Sequence, residues 1–259
     1  MQHIVRYSGG IGSWAAAKRV VKQAGAENMV LLWADTKIED EDLYRFLDET
    51  VQEMGVKLVR LADGRTPWQV FRDERYIGNS RVDPCSKILK RRLCFQWLEQ
   101  HCTPEETVVY LGIDWTEIHR YERAIPYWQP WTIRAPMCEE PYWTKADMFA
   151  LLRQTGIKPP RLYDLGFHHN NCGGFCVKAG QAQFQLLLRT MPERYAKHER
   201  QEEEMRQYLG KNVTILRRTI EGRTTPLTLR QLRLETEARG DGSPSMEEEW
   251  GGCGCFVDR

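Results

Sequence analysis

Long apolar runs are scarce in this chain. The longest, near Met29–Ala34, is about a third of the ~20 residues a helix needs to cross a bilayer core, so no membrane span is expected. Net charge is almost absent as well. The 37 basic and 36 acidic residues leave +1, which neither demands nor excludes a polyanionic partner. With 28% charged residues and a mean hydropathy of -0.58, the chain matches neither a collagen, a coiled coil nor a wholly disordered polymer. It lacks the phosphate loop that ends in Gly-Lys-Ser/Thr, and it lacks a full Gly-x-Gly-x-x-Gly dinucleotide loop. No internal repeat is visible. The opening residues lead directly into a strand, so no secretory signal peptide is expected and a cytoplasmic location is.

Cysteine, by contrast, is plentiful. Eight cysteines in a reducing compartment read as thiols, ligands or nucleophiles before they read as disulfides. The 259 residues suffice for one sizeable core and a small second lobe.

The first half alternates strand and helix. Short extended runs at Ile4–Tyr7, Met29–Ala34, Val56–Leu61 and Thr107–Gly112 are separated by segments with apolar residues at helical spacing. Those segments are Ser13 to about Gln23, Asp40–Met54 and the stretch after Pro84, which carries Leu89, Leu93 and Trp97. A continuous apolar run suits a parallel strand buried on both faces. The pattern predicts a doubly wound parallel α/β sheet, with ligands beyond the carboxyl ends of the strands. Gly9, Gly10, Asp35, Gly112 and Asp114 all fall at such ends. After about Pro159 the pattern changes: a glycine-rich loop, one helical stretch from Gln181 to Leu209, a basic region over 211–239 and a loose Gly240–Glu249 linker. We therefore expect a nucleotide-binding domain over 1–160 and a smaller, mainly helical, metal-bearing lobe over 161–259.

Ser8-Gly9-Gly10-Ile11-Gly12-Ser13 joins the first strand to the first helix. Glycines let the backbone approach a phosphate, and the helix start offers amide donors and a positive dipole end. Ser8 and Ser13 add hydroxyls. On the helix after Pro84, Lys87, Lys90, Arg91 and Arg92 form a basic face suited to phosphate or sulfate. Cys172 and Cys176, together with Cys253 and Cys255, make two short pairs in glycine-rich settings, enough for a tetrahedral Zn²⁺ or a cubane iron–sulfur cluster. The rival reading makes Cys253 or Cys255 a mobile thiolate nucleophile. Cys85 opens a helix, where its pKa is expected to fall. Cys94 reads as core, and Cys102 and Cys138 as isolated thiols. His168, His169, Asn170 and Asn171 read as satisfying loop backbone. Trp128 and Trp131, with Arg120, Arg123 and Arg134, suggest a substrate groove.

Ser8–Ser13 resembles the PP-loop, Ser-Gly-Gly-x-Asp-Ser, of the N-type ATP pyrophosphatases, the superfamily that includes phosphoadenosine phosphosulfate reductases and the thiolation enzymes of tRNA and DNA. Leu32–Thr36, Asp83–Lys90, Leu111–Asp114 with Glu117 and Arg120, Trp143–Asp147 and Leu162–Gly166 are similar to its further segments in the same order. The resemblance covers most of residues 1–180 and is to the phosphoadenosine phosphosulfate reductase-like branch. It implies the adenine nucleotide alpha hydrolase-like fold and ATP with Mg²⁺ in the glycine turn. It also implies catalytic roles for Asp35, Lys87, Lys90 and Asp114, and places a [4Fe-4S] cluster ahead of zinc at the cysteines. The acceptor would be a nucleobase in DNA or RNA, activated by adenylation for sulfur transfer from a sulfur donor or reductant. One departure stands out. The family's Asp before the second Ser is Gly12 here. A sulfonucleotide reductase with a C-terminal cysteine nucleophile, and a non-catalytic nucleotide-sensing or nucleic-acid-binding module, are the alternatives.

Overall fold

The computed structural model describes residues 1–239, so Gly240–Glu249, Cys253 and Cys255 lie outside the described residues. Five strands, β1 (Gln2–Arg6), β2 (Met29–Asp35), β3 (Lys57–Ala62), β4 (Thr107–Leu111) and β5 (Thr132–Arg134), pair in parallel in the order β3-β2-β1-β4-β5. The order reverses between β1 and β4, which puts the crevice of this α/β fold beyond the carboxyl ends of those two strands.

The helices are α1 (Ile11–Ala24), α2 (Glu41–Met54), α3 (Pro67–Asp73), α4 (Pro84–Ser86), α5 (Leu93–His101), α6 (Ile118–Trp128), α7 (Lys145–Gln154), α8 (Arg161–Asp164), α9 (Gln181–Thr190), α10 (Pro192–Leu209) and α11 (Leu229–Arg239). Successive strand residues point to opposite faces, and both faces are covered. Val5, Leu31 and Tyr110 pack with α1, α2 and α7, whereas Ile4, Leu32 and Val109 pack with α5 and α6. That two-sided burial is why Met29–Asp35 is apolar almost throughout. Asp40 stops the chain ahead of α2 by accepting the Asp42 amide at 3.0 Å.

Three local features depart from the sequence expectation. The helical stretch from Gln181 to Leu209 is two helices, because Pro192 sits at the first position of α10, where it needs no amide partner. Lys87–Arg92 is π-helical and joins α4 to α5; the widened turn buries Lys90 and Arg91 together and leaves Lys87 and Arg92 exposed. The expected basic face is thus divided between core and solvent. Trp128 and Trp131 line no groove. They are core residues at 1% and 3% exposure, with Trp128 packed on Phe95 and beneath the Arg6 guanidinium.

The later part of the described chain builds a second core from α9, α10, α11 and an antiparallel hairpin, β6 (Leu216–Ile220) and β7 (Arg223–Leu227). Trp68 and Phe71 of α3 and Ile77 belong to this core, although they precede β4 in sequence. Asp40 ties the two parts: its oxygens accept from Arg161 and Arg194, each at 2.8 Å. Burial works against its ionisation, and the two guanidinium bonds outweigh that, so its pKa lies below the usual carboxylate value.

Candidate functional site

Where β1 ends, the chain turns through Ser8–Ser13 into α1. Gly9 has φ +76°, a left-handed conformation that suits glycine, and a Cβ there would lie 2.9 Å from Leu43 Cδ1. Across the crevice, a Cβ on Gly112 would lie 2.7 Å from Ser13 Cα, so the end of β4 and the first turn of α1 meet backbone to backbone. Ser13 Oγ stitches the turn, donating to Gly10 O at 2.9 Å and accepting from Ser8 N at 3.2 Å and Ser8 Oγ at 3.1 Å. The hydroxyls that sequence suggested as ligand donors therefore shape the loop.

Above this turn opens a cleft of about 430 Å³. Ser8, Gly10, Gly12 and Ser13 form its floor, Gly112 and Asp114 one side, and the 168–171 loop the other. That loop is fastened to the floor: Asn170 Nδ2 donates to Gly9 O at 3.0 Å. The carbonyl oxygens of the Asn170 and Asn171 side chains border the cleft and have no hydrogen-bond partner among the described residues, although the residues are 1% and 7% exposed. Buried acceptors of this kind normally find a donor, so these two mark a place where a ligand's donor fits. Tyr163 closes the wall, its hydroxyl accepting from Ile11 N at 3.0 Å. Asp114 accepts from the Thr116 amide at 2.9 Å and forms no ion pair among the described residues, whereas Glu117 pairs with Arg120.

A second polar cluster lies beside the first. Thr36 Oγ1 donates to Glu39 Oε1 at 2.8 Å, Lys90 Nζ stands 3.4 Å from the same oxygen, and Glu39 Oε2 accepts the Cys172 amide. Lys90 Nζ also lies 3.7 Å from Cys172 Sγ. Cys85, Cys172 and Cys176 border one cavity of about 20 Å³, which Asp83 and Ser86 also line; Asp83 Oδ2 stands 3.5 Å from the Arg91 guanidinium. Burial pushes the Cys85 thiol well up, reinforced by neighbouring Cys172 and Asp83 and opposed by Lys90. This reverses the lowered pKa expected from its place at a helix start; desolvation outweighs the weak field of a three-residue helix.

Of the residues singled out in the sequence, Ser8, Gly10, Gly12, Ser13, Gly112 and Asp114 come together in the cleft, with Gly9 forming the back of its floor. Asp35 ends β2 outside that lining, held by the Lys37 amide and ammonium, both at 2.8 Å, and by the Tyr44 hydroxyl at 3.0 Å. Lys87 is exposed on the π-helical turn, and Lys90 borders the thiol cavity. Cys172 and Cys176 share that cavity, with Cys85 as an unexpected third thiol. Even so, no three His, Cys, Asp or Glu side chains among the described residues converge closely enough to hold a metal ion. Sequence reasoning missed Tyr163, Asn170 and Asn171 as parts of the site. Their signal was position: each lies in or next to a segment that carries the PP-loop resemblance.

Residues 2–175 match the family model of the phosphoadenosine phosphosulfate reductase domain, two-thirds of the chain. The chain belongs to this family. The phosphoadenosine phosphosulfate reductase domain family is a branch of the PP-loop enzymes, and in this member the matched region contains the whole cleft and ends between Cys172 and Cys176. Among solved structures, the chain is similar to phosphoadenylyl-sulfate reductase from Candida auris in a phosphate complex, with 14% identity and a TM-score of 0.44 over 64% of this chain and 79% of that one. It is also similar to an NH3-dependent NAD synthetase from Campylobacter jejuni subsp. jejuni NCTC 11168 in complex with a nitrate ion, with 14% identity and a TM-score of 0.41 over 81% of this chain and 86% of that one. No curated protein matches the chain. No helix among the described residues is long and apolar enough to cross a membrane.

Proposed function

We propose that the cleft seats the anionic end of an adenine nucleotide on the glycine turn and that the chain is an adenylating enzyme. The observation that carries this reading is the pairing of an α-helix N-terminus on the cleft floor with two buried, unpartnered carbonyl oxygens on its wall. An acceptor oxygen, in the class of nucleobase carbonyls of DNA or RNA, attacks the α-phosphorus. The bond to pyrophosphate breaks, and sulfur from a donor later displaces AMP. The Gly12 and Ser13 amides face the developing negative charge. Asp114, the cleft carboxylate that forms no ion pair among the described residues, would hold Mg²⁺, which would neutralise charge on the leaving pyrophosphate. Lys87, Lys90 and Asp35 lie outside the cleft lining, so their expected catalytic roles require the nucleotide to extend beyond it.

One observation favours the sulfonucleotide reductase reading. A Cβ at Gly12 would stand 3.2 Å from Gly112 O, so the crevice has little space for the carboxylate that adenylating relatives carry at this position. Incubation with radiolabelled ATP, Mg²⁺ and candidate acceptors separates the two. Acceptor-dependent AMP and pyrophosphate support adenylation; sulfite release from a sulfonucleotide supports the reductase; tight nucleotide binding without turnover supports a sensing module.

The cysteine centre belongs to the same proposal in its [4Fe-4S] or Zn²⁺ form. The thiols of Cys172 and Cys176 suit either, but the described residues do not complete a ligand set, Cys253 and Cys255 lie outside them, and no step is derived through the centre. Iron and acid-labile sulfide measured on anaerobically purified protein test for the cluster, and one equivalent of zinc without iron would replace it.

A further inference from the structure

The hydroxyl of Tyr163 occupies an unusual position for a tyrosine beside a nucleotide cleft. Its oxygen accepts from Ile11 N, the first amide of α1, at 3.0 Å, and the Asn170 main-chain amide also bonds it. A Cβ on Gly10 would lie 3.3 Å from this oxygen, so the hydroxyl rests directly on the glycine turn. The ring is fixed on two sides. Phe149 meets it edge-on with centroids 5.0 Å apart, and Lys145 Nζ stands 5.0 Å from its centroid. Burial pushes its pKa up to about 12, which keeps the phenol protonated at any physiological pH.

A phenol has one proton and two acceptor positions. Both acceptor positions are taken by amides, so the proton is left to donate, and the remaining open side is the cleft that Tyr163 lines. The same cleft carries the independent sign of a ligand already described: Asn170 Oδ1 and Asn171 Oδ1 are buried acceptors with no donor among the described residues. We propose that Tyr163 is the anion-positioning residue of this cleft, donating to a phosphate or sulfate oxygen seated at the N-terminus of α1. The Asn170 and Asn171 oxygens take a hydroxyl or amino group of the same molecule. The inference rests on the nucleotide reading above and deepens it. The Ile11 amide polarises the phenol, and the phenol passes that polarisation to the anion, while the Gly12 and Ser13 amides meet the anion directly. The Tyr163 oxygen, which would otherwise compete with the anion for the Ile11 amide, becomes part of the receptor.

Calorimetric titration with ATP, adenosine 5′-phosphosulfate and adenosine tests this. Tyr163→Phe keeps the ring and removes the donor. It is expected to weaken binding of the anionic ligands by about tenfold, the size of one hydrogen bond to a charged group, and to leave adenosine affinity unchanged, with a lower thermal midpoint because the Ile11 and Asn170 amides lose their acceptor. Asn171→Ala is expected to weaken adenosine and the anionic nucleotides by the same factor. Equal or tighter ATP binding by Tyr163→Phe overturns the proposal, the tighter result showing that the hydroxyl competes for the anion seat. Equal losses for ATP and adenosine in Tyr163→Phe also overturn it, since they indicate a structural role. If Tyr163→Phe does not fold, Asn171→Ala carries the test, and unchanged adenosine affinity overturns the proposal. Wild-type protein that binds no adenine compound removes the nucleotide reading itself, a result distinct from all of these.

Discussion

Gly112 sets how closely the end of β4 approaches the first turn of α1. An added methyl would meet Ser13 Cα at 2.7 Å and Ser13 N at 2.9 Å, both backbone atoms that cannot swing away. Gly112→Ala is expected to lower stability by about 1–3 kcal/mol and to widen the cleft floor, read as a lower urea midpoint together with weaker ATP binding. Lys90 illustrates a different constraint. Its ammonium stands 3.4 Å from Glu39 Oε1, and the Glu39 side chain is only 2% exposed. Lys90→Met leaves that carboxylate buried without its cation, at a cost of about 3–5 kcal/mol in urea unfolding, and frees the Cys172 turn from one of its holds. Sequence placed Lys90 in the site through resemblance but gave it a phosphate as partner. The actual partner, Glu39, is visible only once the fold brings the start of α2 beside the π-helical turn.

At the scale of elements, Glu202 is one of the groups that fasten α10 to its neighbours. Glu202 accepts the Ile215 amide at 3.0 Å and the Leu229 amide at 2.7 Å, and so fixes both the approach to β6 and the start of α11. Burial outweighs these amide bonds and raises its pKa from 4.5 to about 7. A raised carboxyl pKa gives stability that is fully present below pH 4.5 and is lost as pH rises through about 7. Urea unfolding across that window should therefore show a decline that Glu202→Gln flattens. Asp40 acts in the opposite sense. Its pKa is held below 3.8, so its contribution is present above that pH and lost in acid, and Asp40→Asn should selectively weaken the acid limb of the profile.

The elements also show what could be read from sequence. β2 and β4 were legible because burial on both faces demands apolar residues nearly throughout. β5 was not, since three residues with only Ile133 turned inward make no pattern. The β6–β7 hairpin was hidden by strands that expose most of their length, one of them with Pro226 inside it. The π-helical turn was read as an ordinary helix because its spacing changes which side chains turn inward without changing their composition.

On the scale of the whole molecule, the glycine turn, the helix start and the acid after β4 were legible, and the opposite wall of the cleft was not. That wall comes from residues 163–171, held down by Asn170 on Gly9 and by Tyr163 on Ile11. A fragment ending at residue 160 is accordingly expected to lose nucleotide binding even if its sheet forms, with circular dichroism reporting the fold and calorimetry the binding. The described part of the chain past that residue is equally dependent on what precedes it. Trp68, Phe71 and Ile77, which fall between β3 and α4, are packed among side chains of the second core. Exchange of the later segment between relatives would therefore strand three large apolar side chains in water unless the upstream insert travelled with it. Recombination within this family should respect that linkage, so that the sequence between β3 and α4 covaries with the sequence around the cysteine turn.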